Sequence, residues 1–112
     1  MLGEVDTSSD VTVARLHGDL DLVSIEALRA LLDDVSAADS SRIVIDLCDV
    51  PFVDVLSLSV ILGTADAVRE GGRQFVVEGA SNSMRRLCAM LNAEDILAPR
   101  VPMPRRAVPP AC

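Results

Sequence analysis

Residues 42–63 read "RIVIDLCDVPFVDVLSLSVILG", and this stretch decides how the chain is interpreted. Its first part, "RIVIDL", is a continuous apolar run, which is typical of a central strand covered on both faces. A helix is expected over residues 57–70, because apolar residues recur there at helical spacing. These are Leu58, Ile61, Leu62, Ala65 and Val68. The stretch therefore predicts a strand, a turn with Asp54 at its mouth, and an amphipathic helix.

The segments on either side repeat this alternation of strands and helices. "LGEV" and "DVTVARLHG" are expected to form an antiparallel hairpin, "RQFVVEG" a later strand and "EDILA" a short edge strand. "SIEALRALLDDVSAA", with Ser24 as its N-cap, and "SNSMRRLCAML" have the helical spacing of apolar residues. The order predicts an α/β fold, a single domain over residues 1–98. Its sheet would be mixed and mostly parallel, with four to five strands and three to four helices.

The composition changes after residue 98. Five of the twelve residues at positions 99–110 are proline and three are arginine, and none is acidic. Proline cannot continue a helix or a central strand, so residues 99–112 are expected to be a disordered tail.

The net charge of the chain limits the kinds of partner that it can bind. The chain has ten arginines, no lysine and seventeen acidic residues, for a formal net charge of −7. Such a surface repels phosphate backbones, and there is no Trp or Tyr for base stacking, so direct nucleic-acid binding is not expected. A basic protein partner fits better.

No apolar run approaches the ~20 residues of a membrane span and no signal peptide is evident, which predicts a cytoplasmic protein without membrane insertion.

The motifs of common enzymes are missing. No G-x-G-x-x-G follows the first strand, and P-loop and Schiff-base chemistry would need a lysine. There is no H-E-x-x-H and no G-x-S-x-G elbow. Paired carboxylates such as "GDLD" could serve acid–base catalysis, but turns and helix ends explain them. The single histidine, His17, ends a strand, which indicates a structural role. The sequence predicts a protein that is not an enzyme and that has no cofactor or metal.

The three cysteines, Cys48, Cys88 and Cys112, are far apart and show no C-x-x-C spacing. This is not a disulfide framework, and it fits a reducing compartment. Cys48 and Cys88 are expected to be small buried hydrophobes. A redox role of the cysteines, above all of Cys112, stays open as an alternative.

Two turns that carry aspartates follow predicted strands. "HGDLDL" places Asp19 and Asp21 before the first helix, and "CDVPFVD" leads through Asp54 into the second. In an α/β sheet both turns can lie at one edge, where the carboxyl ends of strands deliver residues to ligands and partners. Helix capping and the helix dipole are the alternative explanation for these aspartates.

The ordered set of segments resembles a STAS domain of the anti-sigma factor antagonist type. The resemblance rests on the G-[ED]-[LI]-D turn at residues 18–21, the strand, turn and helix around Asp54, and "FVVEGAS" with an "S-x-x-M-R-R-L" helix. It implies a STAS-like fold and a bacterial partner-switching protein. In that family the unphosphorylated antagonist binds an anti-sigma factor, often a serine kinase, and so releases a sigma factor for transcription. Phosphorylation at the start of the second helix adds about −1.5 to −2 charge and ends the binding.

The chain departs from the family's phosphorylation motif, D-S-[ST]-G-[LV]-G. The matching residues are Asp54, Val55, Leu56, Ser57, Leu58 and Ser59. Leu56 occupies the acceptor position and has no hydroxyl. Ser57 is a displaced candidate for phosphorylation, although a shift of one residue turns a helical side chain by about 100°. We therefore expect a protein that binds its partner without the usual switch.

The resemblance also implies a docking surface, in which Asp21 matches an aspartate that contacts the partner. Its predicted members are Asp21, Asp54, Leu56, Ser57 and Leu58. Two other functions stay open: a STAS subunit of a membrane transport complex, where the same fold binds an ATPase or permease, and a regulator that responds to redox state through its cysteines.

Overall fold

The four strands form one mixed sheet in the order β1-β2-β3-β4. The computed structural model describes residues 2–8 and 10–98, so the predicted tail and Cys112 lie outside the described residues. The strands are β1 (Gly3–Thr7), β2 (Val11–His17), β3 (Arg42–Asp49) and β4 (Gln74–Glu78). The hairpin of β1 and β2 is antiparallel, whereas β2 with β3 and β3 with β4 are parallel. The predicted mixed, mostly parallel sheet is confirmed.

Three α-helices follow the strands as predicted: α1 (Ile25–Ala37), α2 (Val55–Glu70) and α3 (Asn82–Met90). Helix α2 begins two residues earlier than predicted, because the Asp54 carboxylate accepts a hydrogen bond from the Ser57 backbone and caps the first turn. The predicted edge strand "EDILA" is wrong. Residues Glu94–Ile96 form a 3₁₀ turn, and only the bridge between Val77 and Leu97 joins this segment to the sheet.

The core lies between one face of the sheet and the helices. Paired residues share a face, and Ala14, Ile45 and Val77 stand side by side on three strands with no exposed surface. They belong to one apolar cluster with residues of all three helices, including Leu28, Ile61 and Met84. On the opposite face of β3, Val44 and Asp46 are also buried. The prediction that β3 is covered on both faces is therefore confirmed.

Candidate functional site

The turn after β2 and the turn after β3 are joined by backbone hydrogen bonds. Leu20 and Val53 form an isolated parallel bridge beyond the ends of the strands. The Leu20 amide donates to the Phe52 carbonyl, and the Asp54 amide donates to the Leu20 carbonyl, each at 2.9 Å. Both aspartate-bearing turns therefore lie at one edge of the sheet. This edge holds the carboxyl ends of β2 and β3, where residues are presented to ligands and partners.

Asp54 stabilises the start of α2. Its Oδ1 accepts a hydrogen bond of 2.7 Å from the Ser57 amide, and its carbonyl accepts one of 3.0 Å from the Leu58 amide. A carboxylate at this position also interacts favourably with the helix dipole. The capping alternative for Asp54 is thus confirmed. Capping does not exclude a second role, because the side chain is only partly buried.

Asp21 organises the turn before α1 and does not cap the helix itself. Its Oδ1 accepts hydrogen bonds from the amides of Val23, at 3.0 Å, and Ser24, at 3.4 Å. The hydroxyl of Ser24 accepts from the Asp21 amide and donates to the Asp19 carbonyl. Ser24 is the N-cap residue of α1, as predicted, but its hydroxyl is used within the turn and makes no capping hydrogen bond.

The two turns present large apolar side chains to solvent. Five of the eight exposed large hydrophobic residues in the described part of the chain lie in these turns or in the first turn of α2: Leu22, Val23, Phe52, Val55 and Leu56. We call these five residues the apolar rim. Val23 is 95% exposed, which is the most of the five. A cluster of this kind beside two carboxylates is the expected signature of a protein interaction surface.

Of the five rim residues, only Leu56 is among the predicted members of the docking surface, because it occupies the acceptor position of the phosphorylation motif. Val55 is a second departure from that motif. Leu22, Val23 and Phe52 were missed, because an apolar residue in a turn gives no sign of whether it packs inward or outward. The apolar pair after Asp21 was the available signal, since turns ordinarily favour polar residues.

Ser57 and Leu58, two predicted members of the docking surface, face the core of the protein. Both are completely buried. Consecutive helical residues point about 100° apart, so positions 57, 58 and 61 face the core while positions 55 and 56 face solvent. Among the described residues, the Ser57 hydroxyl also has no hydrogen-bond partner. A kinase cannot reach this hydroxyl in the folded protein, so the geometry disfavours Ser57 as a displaced phosphorylation site.

Leu56, in contrast, occupies the acceptor position with its side chain exposed. It lies two residues after Asp54, in the first turn of α2. The exposed position suits a residue that a kinase modifies, but leucine offers no oxygen for phosphate transfer. Leu56 can therefore make an apolar contact with a partner but cannot accept a phosphate.

Of the two cysteines in the described residues, Cys48 is disulfide-bonded and Cys88 is not. Cys88 is buried in the core and free. Burial, and then the charge of Glu94, raises the pKa of its thiol, which is the opposite of what a reactive thiolate needs. Cys48 is partly exposed near the end of β3. The expectation that Cys48 is a small buried hydrophobe is wrong.

His17 and the acidic residues show no sign of a metal site. The His17 ring lies 3.1 Å from the Glu4 carboxylate and 3.8 Å from that of Asp49, so it connects neighbouring strands. Over residues 2–8 and 10–98, no group of three or more His, Cys, Asp or Glu is placed to hold a metal ion.

A family model described as "STAS domain" matches residues 4–104. The chain belongs to the STAS domain family. Within the described ranges of this STAS domain, no helix has the length and apolar character to cross a membrane.

Solved structures share the STAS fold. An anti-sigma factor antagonist from Mycobacterium paratuberculosis is 24% identical with a TM-score of 0.78, covering 88% of this chain and 86% of that one. The anti-sigma factor antagonist SpoIIAA in its unphosphorylated form is 16% identical with a TM-score of 0.72, over 86% and 85% of the two chains. A sulfate transporter family protein from Wolinella succinogenes is 13% identical with a TM-score of 0.62, over 78% and 75%. At these identities the likeness concerns the fold.

Proposed function

We propose that this STAS protein is an anti-sigma factor antagonist, which binds an anti-sigma factor of the serine-kinase type and thereby releases a sigma factor for transcription. The observation that carries the proposal is the apolar rim beside Asp21 and Asp54, at an edge where hydrogen bonds hold both turns together. It acts by protein contact in the cytoplasm, is not an enzyme and does not contact nucleic acid.

The rim has the chemistry of a binding surface. Full burial of one side chain such as Val23 contributes about 1.5–3 kcal/mol, so a few rim residues can supply most of the affinity of a regulatory complex. The carboxylates of Asp21 and Asp54 stand beside these residues, and the chain carries a net charge of −7. Charge complementarity therefore favours a partner whose apolar contact area is bordered by arginine or lysine.

Binding is not controlled by phosphorylation of α2. Leu56 has no hydroxyl, and the hydroxyl of Ser57 is buried. In a protein that can be phosphorylated here, the added charge would meet Asp54 inside the interface and weaken docking. Without it, the complex forms and dissociates according to the concentrations of the two proteins, even when the kinase and ATP are present.

The direct test measures binding of the full chain to each anti-sigma factor of the source genome by isothermal titration calorimetry. We expect one anti-sigma factor to bind with unchanged affinity with and without ATP, while intact-mass analysis shows no added phosphate. Failure of every anti-sigma factor to bind would refute the proposal. Phosphorylation of the wild-type chain followed by dissociation of the complex would refute the proposal that phosphorylation does not control binding.

A second candidate is a STAS subunit of a membrane transport complex. The fold shared with the sulfate transporter family protein favours it, although that TM-score is lower than those of the two antagonists. Affinity purification from the native cell separates the two functions. Recovery of transporter subunits, with no anti-sigma factor, would favour the transport complex.

A further inference from the structure

The disulfide of Cys48 points to the C-terminus of the chain. The chain has three cysteines, Cys48, Cys88 and Cys112. Cys48 is disulfide-bonded, whereas Cys88 is free and completely buried. Within this chain, Cys112 is therefore the cysteine that remains as a partner for Cys48. A bond between these two residues joins the end of β3 to the last residue of the protein.

Such a bond brings both ends of residues 99–112 to the end of β4. The Ala98 amide donates to the Val77 carbonyl at 2.8 Å, so the segment starts beside β4. The Cys48 sulfur lies next to Gly79, where an added Cβ would collide with it. Gly79 is two residues after Val77, or about 7 Å along an extended chain, whereas residues 99–112 can span roughly 45–50 Å. A segment closed in this way has to fold back over a neighbouring surface.

A neighbouring surface with apolar character is the outer face of the sheet, which we define as the face opposite the helices. Strand pairing places Val13, Val44 and Val76 in one row across β2, β3 and β4. Val44 is only 7% exposed. In the part of the chain that the structure describes, however, none of the three valines belongs to the apolar core or to the residues packed against it. The row is therefore a separate apolar surface, and burying more of it stabilises the protein.

The charges on the outer face complement those of residues 99–112. Four carboxylates share the pairing rows of this face: Glu4, Asp6, Asp46 and Glu78. Arg15 lies among them, 3.7 Å from Asp46, and offsets part of their charge. Residues 99–112 contain three arginines and no acidic side chain, and most of their other residues are proline, valine, alanine and methionine. The segment thus offers apolar groups to the valines and positive charge to the carboxylates.

We propose that Cys48 and Cys112 form a reversible disulfide that fastens residues 99–112 across the outer face of the sheet. The apolar side chains of the segment cover the row of Val13, Val44 and Val76, and its arginines lie beside the carboxylates. Proline favours an extended chain, which can lie along a sheet without forming a helix. This inference goes beyond the proposed function and does not depend on the partner of the apolar rim.

The bond forms by thiol–disulfide exchange with a small-molecule disulfide. The Cys112 thiolate attacks one sulfur of that molecule and displaces a thiolate, and the Cys48 thiolate then attacks the Cys112 sulfur and displaces the second. The two protein thiols are oxidised, and the small disulfide is reduced to two thiols that take up the two protons. In a compartment that keeps thiols reduced, the bond forms only when conditions become oxidising. Coverage of the outer face therefore depends on the redox state.

The first test establishes the bond in the full chain, which is reduced and then treated with glutathione disulfide. Intact mass and peptide mapping should show a monomer that is lighter by two hydrogens, with Cys48 linked to Cys112 and Cys88 free. Oxidation should raise the melting temperature by about 5 °C or more. Cys112→Ser is the matched control, because it keeps the segment but cannot form the bond, and its melting temperature should not change.

The second test locates the segment by methyl NMR of the valines. On oxidation the methyl signals of Val13, Val44 and Val76 should shift, whereas those of Val35 and Val68, which are buried among the helices, should stay in place. None of these signals should shift in Cys112→Ser.

The outcomes distinguish the bond from the coverage. A disulfide between two copies of the chain, a bond to Cys88, or a glutathione adduct alone would overturn the proposed disulfide. An internal bond between Cys48 and Cys112 with unshifted signals from the outer face would overturn the coverage. Equal shifts in the wild type and in Cys112→Ser would show that the disulfide does not fasten the segment. No readout involves an anti-sigma factor, so failure here is separate from failure of the proposed function.

Discussion

The backbone of Leu20 is bonded on both sides to the segment around Val53. Its amide donates to the carbonyl of Phe52 and its carbonyl accepts from the amide of Asp54, both at 2.9 Å. The Leu20 side chain is completely buried below this bridge. The two turns are thus held as one surface by the sheet, and neither needs a partner to take up its position. A preformed surface loses little conformational entropy when it binds.

Substitution of the most exposed rim residue should weaken binding without harming the fold. In Val23→Asp, a carboxylate replaces an apolar contact beside Asp21, so we expect binding to the anti-sigma factor to weaken by about 2 kcal/mol or more. The free energy of unfolding in urea should change by less than about 0.5 kcal/mol, since the side chain is exposed. Met90→Asp, at an exposed apolar residue on α3, is the matched control and should bind normally. Equal effects of both variants would contradict the assignment of the rim.

The two roles of Asp54 can be separated by the choice of substitution. Asp54→Ala removes the cap of α2 and should cost about 1 kcal/mol of stability, whereas Asp54→Ser keeps a capping oxygen and should cost only a few tenths. We expect both variants to weaken partner binding, because both remove the carboxylate. Calorimetry and urea unfolding measure the two effects independently. Normal binding of Asp54→Ser would show that Asp54 only caps the helix.

A hydroxyl at the exposed acceptor position should restore the switch. In Leu56→Ser the new hydroxyl lies on the solvent face of α2, where a kinase can reach it. Incubation with the anti-sigma kinase and ATP should add one phosphate, detected by intact mass, and the phosphate should weaken binding by repulsion and desolvation. The wild-type chain is the control and should stay unmodified. Phosphate on Ser57 of the wild type, absent from Ser57→Ala, would overturn the unswitched mechanism.

Removal of the buried Ser57 hydroxyl should stabilise the protein. The hydroxyl has no hydrogen-bond partner, and a buried polar group in this state costs about 1–3 kcal/mol. Ser57→Ala should therefore raise the free energy of unfolding, by about 1 kcal/mol, with part of the gain from helix propensity. Ser59→Ala is the comparison: it gains the same helix propensity but loses the hydrogen bond to the Val55 carbonyl, so it should gain less stability than Ser57→Ala. A loss of stability in Ser57→Ala would show that the hydroxyl makes a favourable contact.

Ionisation of Cys88 should destabilise the protein at high pH. Burial raises the pKa of this thiol above 9.0, so the folded state holds its proton where the unfolded state has released it. The stabilisation is present below the unfolded pKa and is lost as the pH rises through the folded pKa. The chain has no lysine or tyrosine to titrate in this range. Urea unfolding from pH 7 to alkaline pH should therefore show a steeper fall for the wild type than for Cys88→Val. Identical slopes would contradict the effect.

The order of elements could be predicted from the chain because it depends on local spacing. The apolar run of β3 and the helical period of α2 are visible in residues 42–63, and both elements formed as expected. The ends of the helices and strands were less predictable than their order. The start of α2 depends on one hydrogen bond from Asp54, and "EDILA" formed a 3₁₀ turn because a single bridge to Val77 is too little pairing for a strand.

The sequence by itself determined the alternation of strands and helices, the acidic surface, and the absence of a hydroxyl at position 56. These are properties of residue identity and of periods of two and about 3.6 residues. Only the tertiary structure decided which side chains of the two turns and of the start of α2 face solvent. The bridge between Leu20 and Val53 sets how the turns lie together, while the rotation of α2 buries Ser57 and Leu58 and exposes Val55 and Leu56. The core thus buries some residues while their sequence neighbours stay exposed. Exposed residues more than thirty positions apart, such as Leu22 and Val55, lie at the same edge of the sheet.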